Sequence, residues 1–471
     1  MTPATWLPLR ETVEGIRGGR ISPVELVSEA LDRHELEGRR LRAYRRVNGP
    51  GALKEARRVE RAVEKGEELP PFSGIPISVK DLYGVDGFLT FAGSPRSLPS
   101  CWTRDGWLVN RFRSQGAVVM GKTHTVEFAY GALGVNPHWG TPRNPWDAQV
   151  HRIPGGSSSG AGVSLWEGSA MVALGTDTGG SIRIPASMTG GVGLRTTTGR
   201  WPTDGVVPLS SSLDVVGALT RSVEDAAYVF GAVDPRWGDP VAFLEELGRP
   251  GASRFRLGRP SAEVWEACES GVRNVLEQAL EELVAAGWGL TSLEGDLIRR
   301  GEVVYLDMGL AGAECRAFLQ EELDEWIPLL HPVVGDRIRR APELGSAEYR
   351  EALAERERIR GEAGELFRDV SVWVLPSTTF SPPPLEEVAE GQAYGTVNRA
   401  ALRPTCSASV MDLPAITLPV GLDPHGMPVG LQLLGPRGSD EELLRVALMA
   451  ERILGRSDRR LGVPSLLGES G

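Results

Sequence analysis

The feature that most constrains this chain is the stretch 154–185, where two turns rich in glycine and serine flank an apolar segment. The first turn reads PGGSSSGAG and the second reads DTGGSIRIP, with VSLWEGSAMVALG between them. Because apolar residues follow the first turn at once, we expect packed structure there rather than a flexible linker. Paired glycines allow several backbone N–H groups to point at one spot. The two turns therefore predict one site for a phosphate or a developing oxyanion, with Ser181 as a candidate nucleophile.

The composition excludes several classes of protein. Of the 471 residues, 41% are hydrophobic and 24% are charged, which is an ordinary globular balance. The net charge of −11 argues against a nucleic-acid partner, which requires clustered Lys and Arg. The four cysteines are far apart, which argues against a zinc site or a disulfide scaffold. Neither a signal peptide nor an apolar run of about 18 residues is found, so we expect a cytoplasmic protein with no membrane and no nucleic-acid partner.

Hydrophobic patterning predicts an α/β layer fold formed by a single domain over residues 1–471. In ISPVELVSEAL, Ser22 is expected to cap a helix and Glu25 to complete a capping box. Short apolar runs between glycines then alternate with helices, as in a layered sheet. The predicted parts are N-terminal helices over 5–65, a catalytic core over 66–235 and 369–471, and a charged helical excursion from the sheet over 236–368.

One motif imitates a nucleotide-binding loop. The stretch GAVVMGKT, residues 116–123, matches the pattern G-x-x-x-x-G-K-T. A phosphate-binding loop follows its strand and uses small, polar residues, whereas the residues between these two glycines are Ala-Val-Val-Met. We therefore predict that the motif is itself a buried strand.

Two further motifs lack the context that their chemistry requires. GSSSG fits a nucleophile elbow with Ser158 at its centre, but prolines stand where the preceding strand should be. His331 and His425 are candidate histidine partners of Ser158, and nothing in the sequence selects either of them. His124 and Glu127 could present two metal ligands on one helical face, but no clustered His or Cys completes the set. We expect no metal and no cofactor.

A serine nucleophile needs a base, and the chain has only six histidines. Lys80 follows the apolar, strand-like run IPISV. If the lysine is buried, desolvation lowers its pKa from about 10.4 toward the working range, and the neutral amine can accept a proton. The alternative is a charged lysine that extends to solvent.

These residues together resemble the signature of the amidase signature family. The family has a run of the type G-G-S-S-G-G-S, then D-T-G-G-S-I-R-x-P, and an upstream lysine in V-K-D. The corresponding stretches here are GGSSSG at 155–160, DTGGSIRIP at 177–185 and VKD at 79–81. GAVVMGKTHTVEFAYG and DLPAITLPVGLDPHGMPVGLQLLGP are similar to other family segments. Ser159 and Ala161 replace family glycines, but the positions that correspond to the family's catalytic residues are unchanged.

The resemblance implies an amidase-signature-type α/β/α layered fold, with a large mixed central sheet flanked by helices. It also implies a Ser–cis-Ser–Lys triad, in which Ser181 is the nucleophile that forms an acyl-enzyme, Ser157 relays protons and Lys80 is the base. The oxyanion hole corresponds to the backbone N–H groups of Thr178, Gly179, Gly180 and Ser181. Asp177 and Arg183, which flank the turn, are predicted to form a structural ion pair.

The implied activity is hydrolysis of a small carboxylic amide. One alternative is the glutamine-hydrolysing A subunit of a tRNA-dependent amidotransferase, although the Y-D-G-x-x-Y-G-like stretch of that subunit is missing here. A second alternative is a binding homologue that has lost catalysis, although all three triad positions are present. We expect the pocket wall near 130–136 and 295–365 to determine the substrate. A homodimer is left open.

Overall fold

The computed structural model describes residues 3–249, 254–260 and 263–468, and one mixed β-sheet runs through them. Its strands are β1 (Tyr44–Val47), β2 (Pro76–Lys80), β3 (Val118–Thr123), β4 (Val172–Asp177), β5 (Val192–Arg195), β6 (Val215–Thr220), β7 (Arg256–Pro260), β8 (Gly289–Leu293), β9 (Val372–Pro376), β10 (Ala415–Leu422) and β11 (Pro428–Leu434). Their order across the sheet is β1-β3-β2-β4-β6-β5-β10-β11-β9-β7-β8. Strand β2 is parallel to β3 and β4, β7 is parallel to β8 and β9, and the other neighbours are antiparallel.

Helices flank this sheet. They are α1 (Leu9–Arg17), α2 (Pro23–Leu41), α3 (Gly49–Glu64), α4 (Trp107–Ser114), α5 (Ala161–Glu167), α6 (Arg183–Thr189), α7 (Val223–Val233), α8 (Pro240–Gly248), α9 (Glu263–Glu266), α10 (Ser270–Ala285), α11 (Asp296–Leu306), α12 (Leu310–Glu322), α13 (Pro332–Arg340), α14 (Ala347–Glu362), α15 (Leu385–Val388), α16 (Gly391–Val410), α17 (Asp440–Leu454), α18 (Ser457–Leu461) and α19 (Ser465–Gly468). Short 3₁₀ helices cover Ala4–Trp6, Ser100–Thr103, Glu127–Ala129, Asp324–Leu329 and Ala363–Phe367.

Both faces of the central strands are buried. Successive side chains of a strand point to opposite faces, and on β4 Val172 and Leu174 join the largest apolar cluster. Ala173, between them, packs instead with residues of α5 and α6, such as Leu165 and Ala186. The predicted α/β fold, a large mixed sheet between layers of helices, is confirmed.

Several local predictions are confirmed. Ser22 caps α2, because its side chain accepts a hydrogen bond from the backbone N–H of Glu25. The run GAVVMGKT contributes β3, all of whose residues are buried, so this motif is a strand and not a phosphate loop. Among the described residues, no helix is long and apolar enough to cross a membrane.

Two segments predicted as helical also contain strands. Residues 44–47, within the predicted N-terminal helices, form β1, and residues 256–260 and 289–293, within the predicted helical excursion, form β7 and β8. Strands β1 and β8 are the two edges of the sheet. An edge strand has partners on one side only and carries more polar residues, so Arg and Thr in these strands hide the apolar pattern that identifies a buried strand.

Candidate active site

The site lies at the carboxyl ends of two neighbouring parallel strands. Strand β2 ends at Lys80, and its neighbour β4 ends at Asp177. Because parallel strands end at the same edge of a sheet, Lys80 lies next to the turn that follows Asp177. Topology therefore brings together two segments that are almost a hundred residues apart in the sequence.

Lys80 is completely buried, as the apolar run before it suggested. Its Nζ donates hydrogen bonds to Ser157 Oγ at 2.7 Å and to Thr176 Oγ1 at 2.8 Å. Burial lowers the pKa of Lys80 to about 7, although the negative charges of Asp214 and Asp177 oppose this shift. The amine can therefore exchange a proton near neutral pH, and the adjacent hydroxyl of Ser157 can take part in that exchange.

Ser157 belongs to the first of the two serine-rich turns, just before α5. The peptide bond between Gly156 and Ser157 is cis. The carbonyl of Ser157 accepts a hydrogen bond from the N–H of Val126 at 3.1 Å, and the next residue, Ser158, donates its N–H to the carbonyl of Ser181 at 3.3 Å. The structure thus joins the two turns directly, and it places Ser157 between Lys80 and the second turn.

The second turn connects β4 to α6 and carries Ser181. Gly180 has a φ of 136°, a conformation that residues with a Cβ rarely adopt. Among the described residues, none accepts a hydrogen bond from the backbone N–H of Gly179, Gly180 or Ser181. These three donors are therefore available to an external acceptor. Thr178 is fixed at the start of the turn, where its hydroxyl donates to the Asp214 carboxylate.

A buried ion-pair network holds this turn in place. Asp177 Oδ1 lies 2.8 Å from Arg183 Nη2 and 3.3 Å from Arg195 Nη1, and all three side chains are fully buried. Asp177 Oδ2 also accepts the N–H of Ile182 at 3.1 Å. Burial disfavours the Asp177 carboxylate, but the charge of Arg183 and then that of Arg195 outweigh burial and hold the pKa of Asp177 well below its usual range.

Replacing Asp177 with Asn is expected to lower the free energy of unfolding by about 3–5 kcal/mol, because two arginines lose their buried counter-charge. Since the folded pKa of Asp177 is depressed, its contribution is present above the unfolded pKa and is lost as the pH falls. Urea unfolding at pH 7 and at acidic pH measures both effects. Asp296→Asn, which removes an exposed i,i+3 pair with Arg299, should cost less than about 1 kcal/mol. An equal loss in the two variants would contradict the structural role of Asp177.

Ser181 lines a cavity of about 360 Å³. Its walls come from the segment after β3, from α11 to α13 and from α16, and they include Tyr130, Tyr305, Arg337 and Asn398. This volume is at the small end of the range for ligand pockets. The predicted substrate-determining segments, near 130–136 and 295–365, both contribute to the walls.

The side chains of the other motif residues have other partners. Lys122 is a second buried lysine, but it pairs with Asp81 at 3.0 Å. Ser158 Oγ donates only to the carbonyl of Thr176, at 3.4 Å. Glu127 accepts from the backbone N–H of His331 and contacts His138 Nε2, both at 3.0 Å. In the described ranges, no group of three or more His, Cys, Asp or Glu side chains could hold a metal ion.

Three residues near the turns were missed from the sequence. Thr176 receives a hydrogen bond from Lys80, and Thr405 of α16 donates its hydroxyl to the carbonyl of Gly179 at 2.6 Å. Tyr305 of α11 packs so closely on the turn that a Cβ on Gly179 would lie 2.3 Å from the Tyr305 ring and hydroxyl. Thr176 could have been found, because it immediately precedes the DTGGSIRIP motif in the sequence. Nothing in the sequence around Thr405 or Tyr305 indicates that these residues lie beside the turns.

The fold is of the mixed α/β class, with a buried lysine and two serine turns at the strand ends beside a small cavity. The chain belongs to the amidase family, whose model, Amidase, matches residues 25–444. It is an amide hydrolase.

Individual relatives are similar to this chain over nearly its whole length. A 2-amino-5-chloromuconic acid deaminase of Comamonas testosteroni is 43% identical over 98% of this chain and 99% of that protein. The A subunit of the glutamyl-tRNA(Gln) amidotransferase from Carboxydothermus hydrogenoformans is 30% identical over 94% of this chain and 96% of that protein. A crystal structure of an amidase superposes with a TM-score of 0.84 and 31% identity, covering 95% of this chain and 100% of that one.

Proposed function

We propose that this enzyme hydrolyses a small carboxamide through a triad of Ser181, Ser157 and Lys80 and an acyl-enzyme on Ser181. The observation that carries the proposal is the 2.7 Å hydrogen bond between Lys80 Nζ and Ser157 Oγ in a fully buried setting. A neutral amine is a competent base, and the Ser157 hydroxyl both accepts and donates a proton. The family model and the similar amidase structure support the amide class of substrate.

In the acylation step, Ser181 Oγ attacks the amide carbonyl carbon while its proton passes to Ser157 Oγ, and the Ser157 proton passes to Lys80 Nζ. The negative charge that develops on the carbonyl oxygen is stabilised by the backbone N–H groups of residues 178–181. Removing one such donor typically costs about 3–4 kcal/mol of transition-state stabilisation. Lys80 then returns a proton through Ser157 to the leaving nitrogen, the C–N bond breaks, and the amine or ammonia departs.

Deacylation repeats the relay with water. A water molecule gives a proton through Ser157 to Lys80 and attacks the ester carbonyl carbon of the acyl-enzyme. The bond from this carbon to Ser181 Oγ then breaks, Ser181 recovers its proton, and a carboxylic acid leaves. The net reaction consumes one amide and one water and forms one acid and one amine.

A panel of small aliphatic, aromatic and amino-acid amides, with released ammonia or amine measured, tests the reaction. Labelling with a sulfonyl fluoride, followed by peptide mass spectrometry, tests the nucleophile. The adduct is expected on Ser181 and should be absent from Ser158. A protein that forms no adduct and hydrolyses no amide would instead support the binding homologue that has lost catalysis.

The pH dependence follows from Lys80. Because burial lowers the pKa of Lys80 to about 7, the neutral base predominates above this pH and the protonated form predominates below it. We expect kcat/KM to rise about tenfold per pH unit on the acidic side and to level off above pH 7. Initial rates between pH 5 and 9, over which the protein must stay folded by circular dichroism, measure the profile. A flat profile would contradict a titrating base in the free enzyme.

The A subunits of amidotransferases are also similar over nearly the full length of the chain, and they define a second candidate function. The purified chain distinguishes the two. An amidase should hydrolyse its substrate without partner chains, whereas an A subunit should co-purify with partners and be weakly active by itself. The cytoplasmic location and the homodimer stay predictions.

A further inference from the structure

The cavity beside Ser181 has an excess of positive charge. Three arginines and one aspartate line it: Arg337, Arg340, Arg399 and Asp307. Asp307 forms an ion pair with Arg399 at 2.6 Å. Arg337 and Arg340 make no ion pair with any carboxylate in the part of the chain that the structure describes. Two guanidinium groups therefore remain without a protein counter-charge.

Arg337 is held in a fixed position at this wall. It is half-buried, its Nη1 donates to the carbonyl of Tyr130 at 2.8 Å, and its Cζ lies 4.2 Å from the centre of the Tyr130 ring. The Cζ atom of Arg337 also lies 6.0 Å from the centre of the Tyr394 ring. The Arg337 side chain also interacts with the hydroxyls of Tyr130 and Tyr394. A guanidinium has five N–H donors, so these contacts leave donors for a ligand.

The carboxylates near Arg337 and Arg340 either form ion pairs with other residues or lie beyond ion-pair distance. Asp336 pairs with Arg339, which does not line the cavity beside Ser181. Glu390 borders an adjoining cavity that Arg337 and Arg340 also line, but it lies outside ion-pair distance of both. Arg337 is half-buried and Arg340 is exposed. Partial burial of a cation without a partner is unfavourable, so an anionic ligand would remove this cost at Arg337, while Arg340 adds a second positive charge beside it.

We propose that the substrate is an amide that also bears a carboxylate, which binds to Arg337 and Arg340 while the amide carbonyl lies at Ser181. This inference rests on the proposed function, because it takes Ser181 as the point of attack. A planar guanidinium matches the two oxygens of a carboxylate. The cavity of about 360 Å³ favours a short acyl group, as in the monoamide of a small dicarboxylic acid.

Matched pairs of amides test the charge. Succinamate and glutaramate are compared with butyramide and valeramide, which have chains of the same length but end in a methyl group. We expect kcat/KM to be about tenfold or more higher for the charged member, the range typical of a hydrogen bond to a charged group. Equal rates for the charged and neutral members of both pairs would overturn the inference.

Substitutions then test the two arginines. Arg337→Gln and Arg340→Gln should each reduce the ratio of kcat/KM for the charged amide to kcat/KM for the neutral amide. Arg337→Lys keeps the charge but loses the planar fork, so it should retain part of the preference. Arg339→Gln is the matched control, because Arg339 lies on the same helix, is exposed and pairs with Asp336. If Arg337→Gln lowers both rates equally, Arg337 has only a structural role.

A binding measurement separates this inference from the proposed mechanism. Calorimetry with the Ser181→Ala protein needs no turnover. Succinamate or glutaramate should bind more tightly than butyramide or valeramide, and Arg337→Gln in the Ser181→Ala background should remove the difference. Equal binding of charged and neutral amides would contradict the carboxylate site and would leave the proposed mechanism unaffected. Substantial hydrolysis by Ser181→Ala would contradict the nucleophile while leaving the charge preference measurable.

Discussion

Ser181→Ala is expected to abolish amide hydrolysis, with kcat falling on the order of a million-fold, as when the nucleophilic serine of another serine hydrolase is removed. The substitution deletes one hydroxyl at a turn whose backbone is held by other groups. Asp177 accepts the N–H of Ile182, and Thr405 holds the carbonyl of Gly179. The variant should therefore fold normally. Amine release and thermal unfolding, measured on the same preparation, check both expectations.

Ser158→Ala provides the matched control for this variant. Ser158 is the next residue after Ser157, is equally buried and sits at the centre of GSSSG, the competing nucleophile motif. Among the described residues, its hydroxyl makes one hydrogen bond, to the carbonyl of Thr176, so its loss should change kcat by less than about tenfold. A severe loss of activity in Ser158→Ala, combined with residual turnover in Ser181→Ala, would exchange the roles of the two serines.

Substituting Lys80 should have the second largest effect. Lys80→Met keeps a long, unbranched side chain but removes the amine that contacts Ser157 and Thr176. Loss of a positioned base typically costs about 10²–10⁴-fold in rate, and the pH dependence near 7 should disappear with it. Lys80→Arg should be no better, because arginine stays protonated and cannot accept a proton. Initial rates from pH 5 to 9 measure both variants.

Lys122→Met controls for the removal of a buried lysine. Lys122 lies on the neighbouring strand β3 and is also buried, but its partner is Asp81. Its loss should lower stability, because Asp81 loses its charged partner, and should leave kcat of the folded protein unchanged. A Lys80→Arg variant with near-normal activity would show that Lys80 supplies only positive charge, and another base would have to be found.

The sequence predicted helices and strands best where residues close together along the chain are enough to specify them. The buried strands β2 and β3 were predicted from the apolar runs IPISV and AVVM, because both faces of such a strand are covered. The cap at Ser22 is also local, since a hydroxyl and a backbone N–H three residues on are enough to form it. Strands β1 and β8 were missed, because an edge strand satisfies half of its hydrogen bonds elsewhere and tolerates polar residues.

By itself, the sequence determined the two glycine–serine turns, the candidate lysine and the class of fold, because these depend on residue type and spacing along the chain. The tertiary structure alone decided what surrounds them. It put the ends of β2 and β4 side by side, buried Lys80 so that its pKa falls to about 7, and brought Thr405, Tyr305 and Arg337 from distant helices to the turn and its cavity. Burial and charge at a site are summed over all neighbours in space, and the linear spacing of residues does not record them.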